Sequence, residues 1–328
     1  MNLPYIIAET ACSHDGSVNR LKKIIDAVIK ANFDAIQIQV WRYQNMVSPD
    51  HKDVSLLKKI QINYKEWAEI ISYIRKKNNK LDIIACIYDE EALDFCLKNK
   101  IKLFKIHTAD LGNKHLIKKT SSFARRIDLS IGSSSEKEIK QAISWINKKC
   151  DYWLMYGYQL FPTNPLKLNL KYAKNLSKKF SAPVGYQDHS FYDESGYTVP
   201  TTAIGLGIDI IEKHVTDKNS RNGTDGSSAI EIKDYKKFIT KCNESKISLG
   251  DGNRKKFSKD ELKYRKYSKK KILYSLDLKK NHKLKFEDLI FLRTEKKGVM
   301  LNEYLNVIGK KLKKDIKVFD TVYFKNLK

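Results

Sequence analysis

Two histidines stand at the ends of consecutive predicted strands. Within residues 184–231, two short apolar runs end in the motifs Q-D-H and E-K-H, with a helix-length segment between them. In a βαβ unit the carboxyl ends of parallel strands lie side by side, so we expect His189 and His214 to converge, with Asp188 and Glu212 beside them. Two imidazoles with nearby oxygens suit a divalent transition metal ion that keeps open positions for a substrate. A single histidine at a strand end is more often structural, so the metal interpretation depends on the pair.

A parallel α/β scaffold is needed to position these side chains. Short apolar runs predict strands at 5–8, 35–39, 81–85, 103–106, 127–131, 153–156, 184–186 and 208–211. Amphipathic segments predict helices at 18–32, 64–77, 90–98, 114–124, 136–147, 165–180, 198–206 and 232–246. Eight strand-helix pairs match a closed (β/α)8 TIM barrel better than an open doubly wound sheet, which remains the alternative.

Polar residues end or follow most of these strands, where a barrel enzyme carries its chemistry. They include Glu9, Gln37, Gln39, Lys105, Thr108, Ser130 and Gln159, and Phe161 follows Gln159 in the loop after the sixth strand. Lys105 lies inside the apolar strand L-F-K-I, so we expect it to point into the barrel mouth and bind a phosphate or carboxylate. Asn113 and Ser135 stand where helix N-caps are expected.

The bulk properties indicate a cytoplasmic α/β protein. The chain of 328 residues is long enough for one large domain and a small one. It has neither an apolar run of transmembrane length nor a signal-peptide pattern, which predicts a cytoplasmic location. The five cysteines share no C-x-x-C spacing. We therefore expect a reducing compartment and no disulfides.

The net charge of +25 raises the question of a polyanionic partner. The lysines are scattered along every predicted helix, and the tryptophans fall within predicted elements and barrel-end loops. Nucleic-acid binding would favour clustered cations with exposed aromatics, so it is the least favoured alternative. We predict no nucleic-acid or membrane partner. The positive electrostatic field of the protein would also help to attract a small anionic substrate.

The pattern changes after residue 247. Residues 248–268 contain the motif S-L-G-D-G-N and a run dense in Lys and Arg, which predicts a linker between the domain at 1–247 and a module at 269–328. The last module is too short for a large core of its own, so a lid or a dimerisation element is the expected role.

Many motifs, in order, resemble those of the sialic acid synthases and their relatives that make nonulosonic acids. They are I-A-E-T-A-C-S-H-D-G, A-I-Q-I-Q, F-K-I-H-T-A-D-L-G-N, L-S-I-G-S-S, Q-L-F-P-T, V-G-Y-Q-D-H-S, I-I-E-K-H-V-T and G-T-D. The resemblance covers nearly the whole chain. It implies a (β/α)8 barrel followed by a small antifreeze-like (SAF, β-clip) domain at 269–328.

The resemblance also implies an activity. Members of the family condense phosphoenolpyruvate with an N-acetylated amino sugar, which gives a nine-carbon 2-keto acid and phosphate for surface polysaccharide. His189 and His214 match the family's ligands for a divalent ion, usually manganese, with magnesium and cobalt as alternatives. Such an ion would polarise the sugar aldehyde for attack by C3 of phosphoenolpyruvate.

Further site residues follow from the same resemblance. Glu9, Glu212 and Lys105 are the implied catalytic residues, with the carboxylates suited to the sugar, the cation and proton transfers. The positions around phosphoenolpyruvate are Lys105, Thr108, Ser130, Gln159 and Gln187, and Phe161 stands in place of a family tyrosine. Gln39 and Asp225 match sugar contacts. Arg293 matches an arginine that reaches the barrel of the partner subunit, which implies a domain-swapped homodimer.

Several residues depart from the family pattern. Gln37 replaces a lysine that contacts phosphoenolpyruvate, a change that costs on the order of 1–3 kcal/mol of binding unless Arg42 or another cation compensates. The other departures are Ser13, Ala85-Cys86-Ile87, Thr108-Ala109, Phe161, Gln187 and Arg293-Thr294-Glu295. The anion pocket is thus altered more than the metal site. This pattern fits a synthase with another amino sugar or first substrate, and the alternative is a descendant that binds a sugar or sugar acid without condensing it.

Overall fold

The computed structural model describes residues 2–191, 197–218 and 226–328. The chain divides into two compact units, Met1–Gly252 and Asn253–Lys328. Among these residues, the first unit holds a parallel sheet of nine strands and its helices, and the second is a small unit with its own core.

A closed barrel forms the centre of the first unit. Its strands are β1 (Tyr5–Glu9), β2 (Ala35–Val40), β3 (Asp82–Ile87), β4 (Leu103–Ile106), β5 (Arg126–Ser130), β6 (Asp151–Tyr156), β7 (Val184–Asp188) and β8 (Ile210–Thr216). Neighbours in sequence pair in parallel, and β1 also pairs with β8. This closure confirms the predicted (β/α)8 barrel and excludes the open sheet. A short strand, β9 (Ile230–Glu231), extends the pairing beyond β8.

Helices surround the barrel. They are α1 (Val18–Ala31), α2 (Tyr43–Met46), α3 (Val54–Ile60), α4 (Tyr64–Lys77), α5 (Glu90–Lys98), α6 (Lys114–Phe123), α7 (Glu136–Ser144), α8 (Leu170–Phe180), α9 (Thr198–Gly205) and α10 (Tyr235–Ser248). Each predicted helix is present. The segment predicted at 165–180 begins as a 3-10 turn at Pro165–Lys167, and α2 and α3 were not predicted.

Two of the polar residues that follow strands act as helix caps. The Asn113 side chain accepts a hydrogen bond from the Leu116 N–H at 3.1 Å, at the start of α6. The Ser135 hydroxyl accepts from the Glu138 N–H at 3.3 Å, and Glu138 accepts in return from the Ser135 N–H. Both residues satisfy N–H groups that the first helical turn would otherwise leave unpaired, as predicted.

Alternate residues of each strand face opposite layers. An apolar cluster inside the barrel contains Ile7, Ala35, Ile84, Leu103, Met155 and Ile210. The intervening residues, such as Ile211 and Val215 of β8, pack in the larger core that includes the helices. This period of two decides which polar residues reach the barrel mouth. Two or four positions beyond an inward apolar residue, the side chain again points inward.

The second unit is small and built mainly from irregular chain. Helix α11 (Lys259–Tyr267) comes first, followed by β10 (Lys271–Tyr274) and β11 (Leu289–Leu292), which pair antiparallel. Its core contains Ile272, Tyr274, Leu284, Val307, Leu312 and Val322. Helix α11 lies in the stretch predicted as a linker, and none of its residues is buried.

The structure can be compared with two predictions from the bulk properties, which concern disulfides and membrane-spanning segments. All five cysteines are free thiols, and all are buried, as the absence of a disulfide pattern predicted. Among residues 2–191, 197–218 and 226–328, no helix is both long and apolar enough to cross a membrane.

Candidate active site

A cavity of about 220 Å³ opens at the carboxyl ends of the barrel strands. Side chains from several strands and the loops after them line it: Glu9, Cys12, Gln39, Met46, Tyr88, Lys105, His107, Ser130, Gln159, Phe161, Gln187, His189, Glu212 and His214. Most of the predicted site residues are therefore brought together. This is the end of the fold at which barrel enzymes carry their chemistry.

A buried ion pair occupies the centre of the cavity wall. Lys105 Nζ lies 2.6 Å and 2.8 Å from the two carboxylate oxygens of Glu212, and 3.9 Å from Glu9 Oε2. Burial opposes a charge on this amine, but the two carboxylates outweigh it and raise the pKa of Lys105. Lys105 is therefore a permanent cation that points into the barrel, as predicted, with its charge shared between two strands.

Two polar side chains orient Glu212 further. Ser130 Oγ donates to Gln187 Oε1 at 2.8 Å, which fixes the orientation of that amide. Gln187 Nε2 then donates to Glu212 Oε1 at 3.0 Å. The carboxylate is thus held from β4, by Lys105, and from β7, so its position is set before any substrate enters.

Glu9 is held at the opposite side of Lys105. Its Oε1 accepts the Ala11 N–H at 2.6 Å and lies 3.4 Å from Gln39 Nε2. The Tyr88 hydroxyl donates to Gln39 Oε1 at 3.3 Å, so the Gln39 amide is oriented with its nitrogen towards Glu9. Glu9, Gln39 and Lys105 therefore form one connected polar wall.

The rings of the two predicted metal-binding histidines lie edge to face in the lining of the cavity. Their ring centres are 5.2 Å apart. Burial lowers the pKa of both imidazoles, and the neighbouring His189 lowers that of His214 further. Both rings are therefore neutral near pH 7, which is the protonation state in which an imidazole binds a metal.

These two imidazoles fit a shared divalent ion. With an ion-nitrogen bond of about 2.1 Å, two imidazoles in adjacent coordination positions have centres about 5 Å apart. His189 Nδ1 donates to the Tyr158 carbonyl at 2.9 Å, which leaves Nε2 as the ligand atom. His214 Nδ1 is buried without a hydrogen-bond partner among the described residues. No group of three or more His, Cys, Asp or Glu side chains able to hold a metal is found in that part of the chain. The described protein would therefore supply two ligands and leave the other positions to substrate and water.

Phe161 lies over this pair of rings. Its ring centre is 4.3 Å from that of His189 and 5.6 Å from that of His214. The side chain is 40% exposed, so one side contacts the imidazoles while the other remains open. Phe161 can therefore restrict the cavity entrance and offer an apolar surface to a bound substrate.

Asp188 does not lie beside the histidines, contrary to the expectation from its position. Its Oδ2 is 2.8 Å from Lys213 Nζ, and the Tyr186 hydroxyl donates to Oδ1 at 3.0 Å. Because neighbouring residues of a strand face opposite layers, Asp188 and Lys213 point away from the barrel interior while His189 and His214 point inward. The adjacent charged residues thus form a fully buried ion pair behind the site.

The remaining predicted site residues lie elsewhere. The Thr108 hydroxyl donates to the Gly132 carbonyl, and Thr108 is not among the residues that line the cavity. Arg293 is exposed in the second unit. Asp225 lies outside the described residues. Arg42 pairs with Glu91 at 2.9 Å and does not line the cavity, so it does not compensate for the missing lysine there.

Gln37, which stands in place of that lysine, is completely buried. Neither its amide nitrogen nor its amide oxygen has a hydrogen-bond partner in the described part of the chain. An amide buried in this way costs free energy unless a ligand or water satisfies it. Gln37 is therefore a buried polar side chain that the described residues leave unsatisfied.

Four lining residues had no role predicted from the sequence: Cys12, Met46, Tyr88 and His107. His107 could have been found, because it is two residues after the inward-facing Lys105 and follows the same period of two. Met46 comes from the short helix α2, whose sequence has no clear amphipathic pattern. The position of Met46 depends on how the loop after β2 folds over the barrel.

Comparisons with known proteins identify the family that this chain resembles along most of its length. The NeuB family matches residues 24–254. The chain is 26% identical to the N,N'-diacetyllegionaminic acid synthase of Legionella pneumophila, over 98% of this chain and 94% of the relative. It is also 26% identical to a pseudaminic acid synthase of Campylobacter jejuni, over 97% of this chain and 95% of the relative.

Solved structures of similar proteins share the fold. The N-acetylneuraminic acid synthetase of Leptospira borgpetersenii, in complex with citrate, has a TM-score of 0.72 at 28% identity and covers 80% of this chain and 92% of its own. The spore coat polysaccharide biosynthesis protein SpsE of Bacillus subtilis has the same fold along 99% of this chain and 95% of its own, with a TM-score of 0.67 at 22% identity. With the family match over most of the first unit and synthases aligned along nearly their whole length, this chain belongs to the NeuB family and is an enzyme.

Proposed function

We propose that this enzyme condenses phosphoenolpyruvate with an N-acetylated amino sugar to give a nonulosonic acid and phosphate. One observation carries the proposal: two neutral imidazoles and the Lys105-Glu212 ion pair line a single cavity at the strand ends. The names of the relatives, which are legionaminic, pseudaminic and N-acetylneuraminic acid synthases, support the class of product. C3 of phosphoenolpyruvate forms the new bond to the aldehyde carbon, and water adds at C2 before phosphate leaves.

The charges in the cavity suit such a reaction. Lys105 provides a cation for the phosphate or carboxylate of phosphoenolpyruvate. A divalent ion, which we propose is manganese, would be held by His189 and His214 and would supply Lewis-acid polarisation of the sugar aldehyde. Glu9 and Glu212 are pre-oriented carboxylates that can accept hydrogen bonds from sugar hydroxyls and take up or return protons.

The two sides of the cavity would then bind different substrates. Ser130, Gln159 and Gln187 line the same cavity as Lys105, and we assign these four residues to phosphoenolpyruvate. Gln39 lies beside Glu9 on the side proposed for the sugar. The polar groups on both sides are already hydrogen-bonded to each other, so substrate binding needs little reorganisation of the walls.

The second unit would complete the assembly. We assign residues 269–328 to an antifreeze-like domain, as the sequence resemblance implies, and the exposed Arg293 to a contact with the barrel of a second copy. The enzyme would then act as a domain-swapped homodimer. The small independent core of this unit supports the domain assignment.

Phosphate release tests the proposal directly. Purified enzyme is incubated with phosphoenolpyruvate, manganese and one member of a panel of N-acetylated amino sugars, and phosphate is measured with and without excess chelator. We expect release that depends on one sugar and stops when the metal is removed. Absence of release with every sugar, from folded and metal-loaded protein, would favour the alternative of a sugar-binding descendant that does not condense.

The alternative, a descendant that binds a sugar without condensing it, is favoured by one observation, the residue at position 37. Among the described residues that line the cavity, Lys105 is the sole permanent cation, and it is already paired with Glu212. A chain with Gln37 in place of the lysine therefore has a weaker field for a multiply charged anion. Measuring phosphoenolpyruvate binding separately from turnover distinguishes failure of the anion site from failure of catalysis.

The substitution Gln37→Lys tests the same position. We expect the KM for phosphoenolpyruvate to fall by up to about tenfold, because the new ammonium adds a charge-assisted hydrogen bond to the anion. Gln37→Met is the matched control, since it removes the unsatisfied amide without adding charge, and its KM should stay unchanged. A strong decrease in phosphoenolpyruvate affinity in Gln37→Lys would mean that the amide itself serves an altered pocket.

A further inference from the structure

His107 is a third imidazole in the cavity, and no role was predicted for it from the sequence. It follows β4 directly, two residues after Lys105, and lines the same cavity as His189 and His214. Its ring lies against that of Tyr88, with centres 5.4 Å apart. The Tyr88 hydroxyl is itself bonded to Gln39, so the surface behind the His107 ring is held in place.

The hydrogen bonding of His107 determines which ring nitrogen carries the proton. The Ala109 N–H donates to His107 Nδ1 at 3.2 Å, so Nδ1 is an acceptor and has no hydrogen. Burial, together with the nearby charge of Lys105, lowers the pKa of His107 to about 4, so the ring is neutral near pH 7. A neutral imidazole with an accepting Nδ1 carries its hydrogen on Nε2. His107 is therefore a hydrogen-bond donor through Nε2.

The surrounding charges indicate what this donor binds. Lys105 shares its charge between Glu212 and Glu9, so part of that charge is already neutralised before an anion binds. An anion bound here needs additional donors, and a neutral N–H can approach it without repelling Lys105 or a bound cation. On the β4 side of the cavity, Nε2 of His107 is the donor that no described hydrogen bond engages.

We propose that His107 Nε2–H binds an anionic oxygen of phosphoenolpyruvate and adds a donor beside the partly neutralised Lys105. This inference rests on the proposed function and names the residue that adapts this chain's anion pocket. His107 acts as a substrate-binding group with a fixed proton. The acceptor is a phosphate or a carboxylate oxygen, and both belong to the same ligand.

The test compares three variants of the full-length enzyme. His107→Phe keeps a ring against Tyr88 but removes the donor. His107→Gln places an amide nitrogen close to the position of Nε2 and should restore binding. His115→Phe is the control for removal of an imidazole, because His115 is 82% exposed on α6. Binding of phosphoenolpyruvate without sugar is measured by calorimetry, and the KM of each substrate is measured in the phosphate-release assay.

In His107→Phe we expect phosphoenolpyruvate to bind about tenfold to a hundredfold more weakly, the usual effect of removing a hydrogen bond to a charged group. The KM of the sugar should change little, and His107→Gln should recover most of the affinity. To tell carboxylate from phosphate, the affinities of pyruvate and inorganic phosphate are compared, and the anion whose affinity falls in His107→Phe identifies the contact.

The outcomes separate this inference from the proposed function. If the wild-type enzyme binds and turns over phosphoenolpyruvate while His107→Phe binds it equally well, the role of His107 is wrong and the proposed function stands. A rise in the KM of the sugar alone would also overturn the inference. If the wild-type enzyme binds no phosphoenolpyruvate at all, the proposed function and the inference fail together.

Discussion

The substitution His214→Ala is expected to abolish phosphate release and to weaken manganese binding by more than about 100-fold. Altering partners of metal ligands already costs about 10- to 100-fold in affinity. His214→Ala goes further, because it removes one of the two proposed ligand imidazoles, whose ring centres are 5.2 Å apart. The free manganese signal in electron paramagnetic resonance reports binding independently of turnover. The same result is expected for His189→Ala.

The control for this experiment is His115→Ala, which removes an exposed imidazole far along the sequence from either ligand. It should bind manganese and release phosphate as the wild type does. Circular dichroism should show that His214→Ala remains folded, since an imidazole with an unsatisfied buried Nδ1 is not an important source of stability. Normal turnover in His189→Ala or His214→Ala would contradict the metal assignment and the proposed function with it.

The substitution Lys213→Met is expected to lower the free energy of unfolding by about 3–5 kcal/mol. Lys213 and Asp188 are both fully buried, and their charged atoms are 2.8 Å apart. Burial alone would raise the pKa of Asp188, but Lys213 outweighs that effect and lowers it, so the carboxylate is charged in the folded protein. Lys213→Met leaves that charge without its partner in the interior. Urea-induced unfolding, followed by tryptophan fluorescence, measures the decrease.

A second substitution provides the matched comparison. In the double variant Asp188→Asn with Lys213→Met, the buried charge is gone while the amide can still contact Tyr186 and the Ser190 N–H. We expect the double variant to recover much of the stability that Lys213→Met alone removes. The exposed pair of Lys241 and Glu244 serves as the surface control, and Lys241→Met should have no measurable effect. Equal stability of Lys213→Met and the wild type would show that the ion pair contributes little.

This ion pair also connects the two strands that carry the histidines. Asp188 immediately precedes His189, and Lys213 immediately precedes His214. Removal of the pair is therefore expected to disturb the spacing of the imidazoles as well as the stability of the barrel. Metal affinity measured on the folded fraction of Lys213→Met separates the two effects.

Much of the scaffold could be predicted because its signals are local. Every predicted strand and helix of the barrel is present. The spacing of apolar residues within one segment, with a period of two for a strand or 3.6 for a helix, is enough to predict that element. The helices that were not predicted, α2, α3 and α11, are short and weakly amphipathic. Helix α11 has no buried residue, so no apolar stripe marked it within the lysine-rich stretch.

The residues of the site can likewise be read from the primary structure, because His189, His214, Glu9 and Lys105 stand at strand ends that the apolar pattern predicts. The pairs that these residues form depend on tertiary packing. Lys105 contacts Glu212, which is 107 positions away in the sequence. Asp188 pairs with Lys213 and does not lie at the expected metal site.

Strand register and barrel closure bring such distant positions together, and the alternation of side chains then decides which of two neighbouring charges faces the cavity. Neither effect is encoded within a single segment. For this reason, only the folded barrel could show that Met46, from the loop after β2, joins the site.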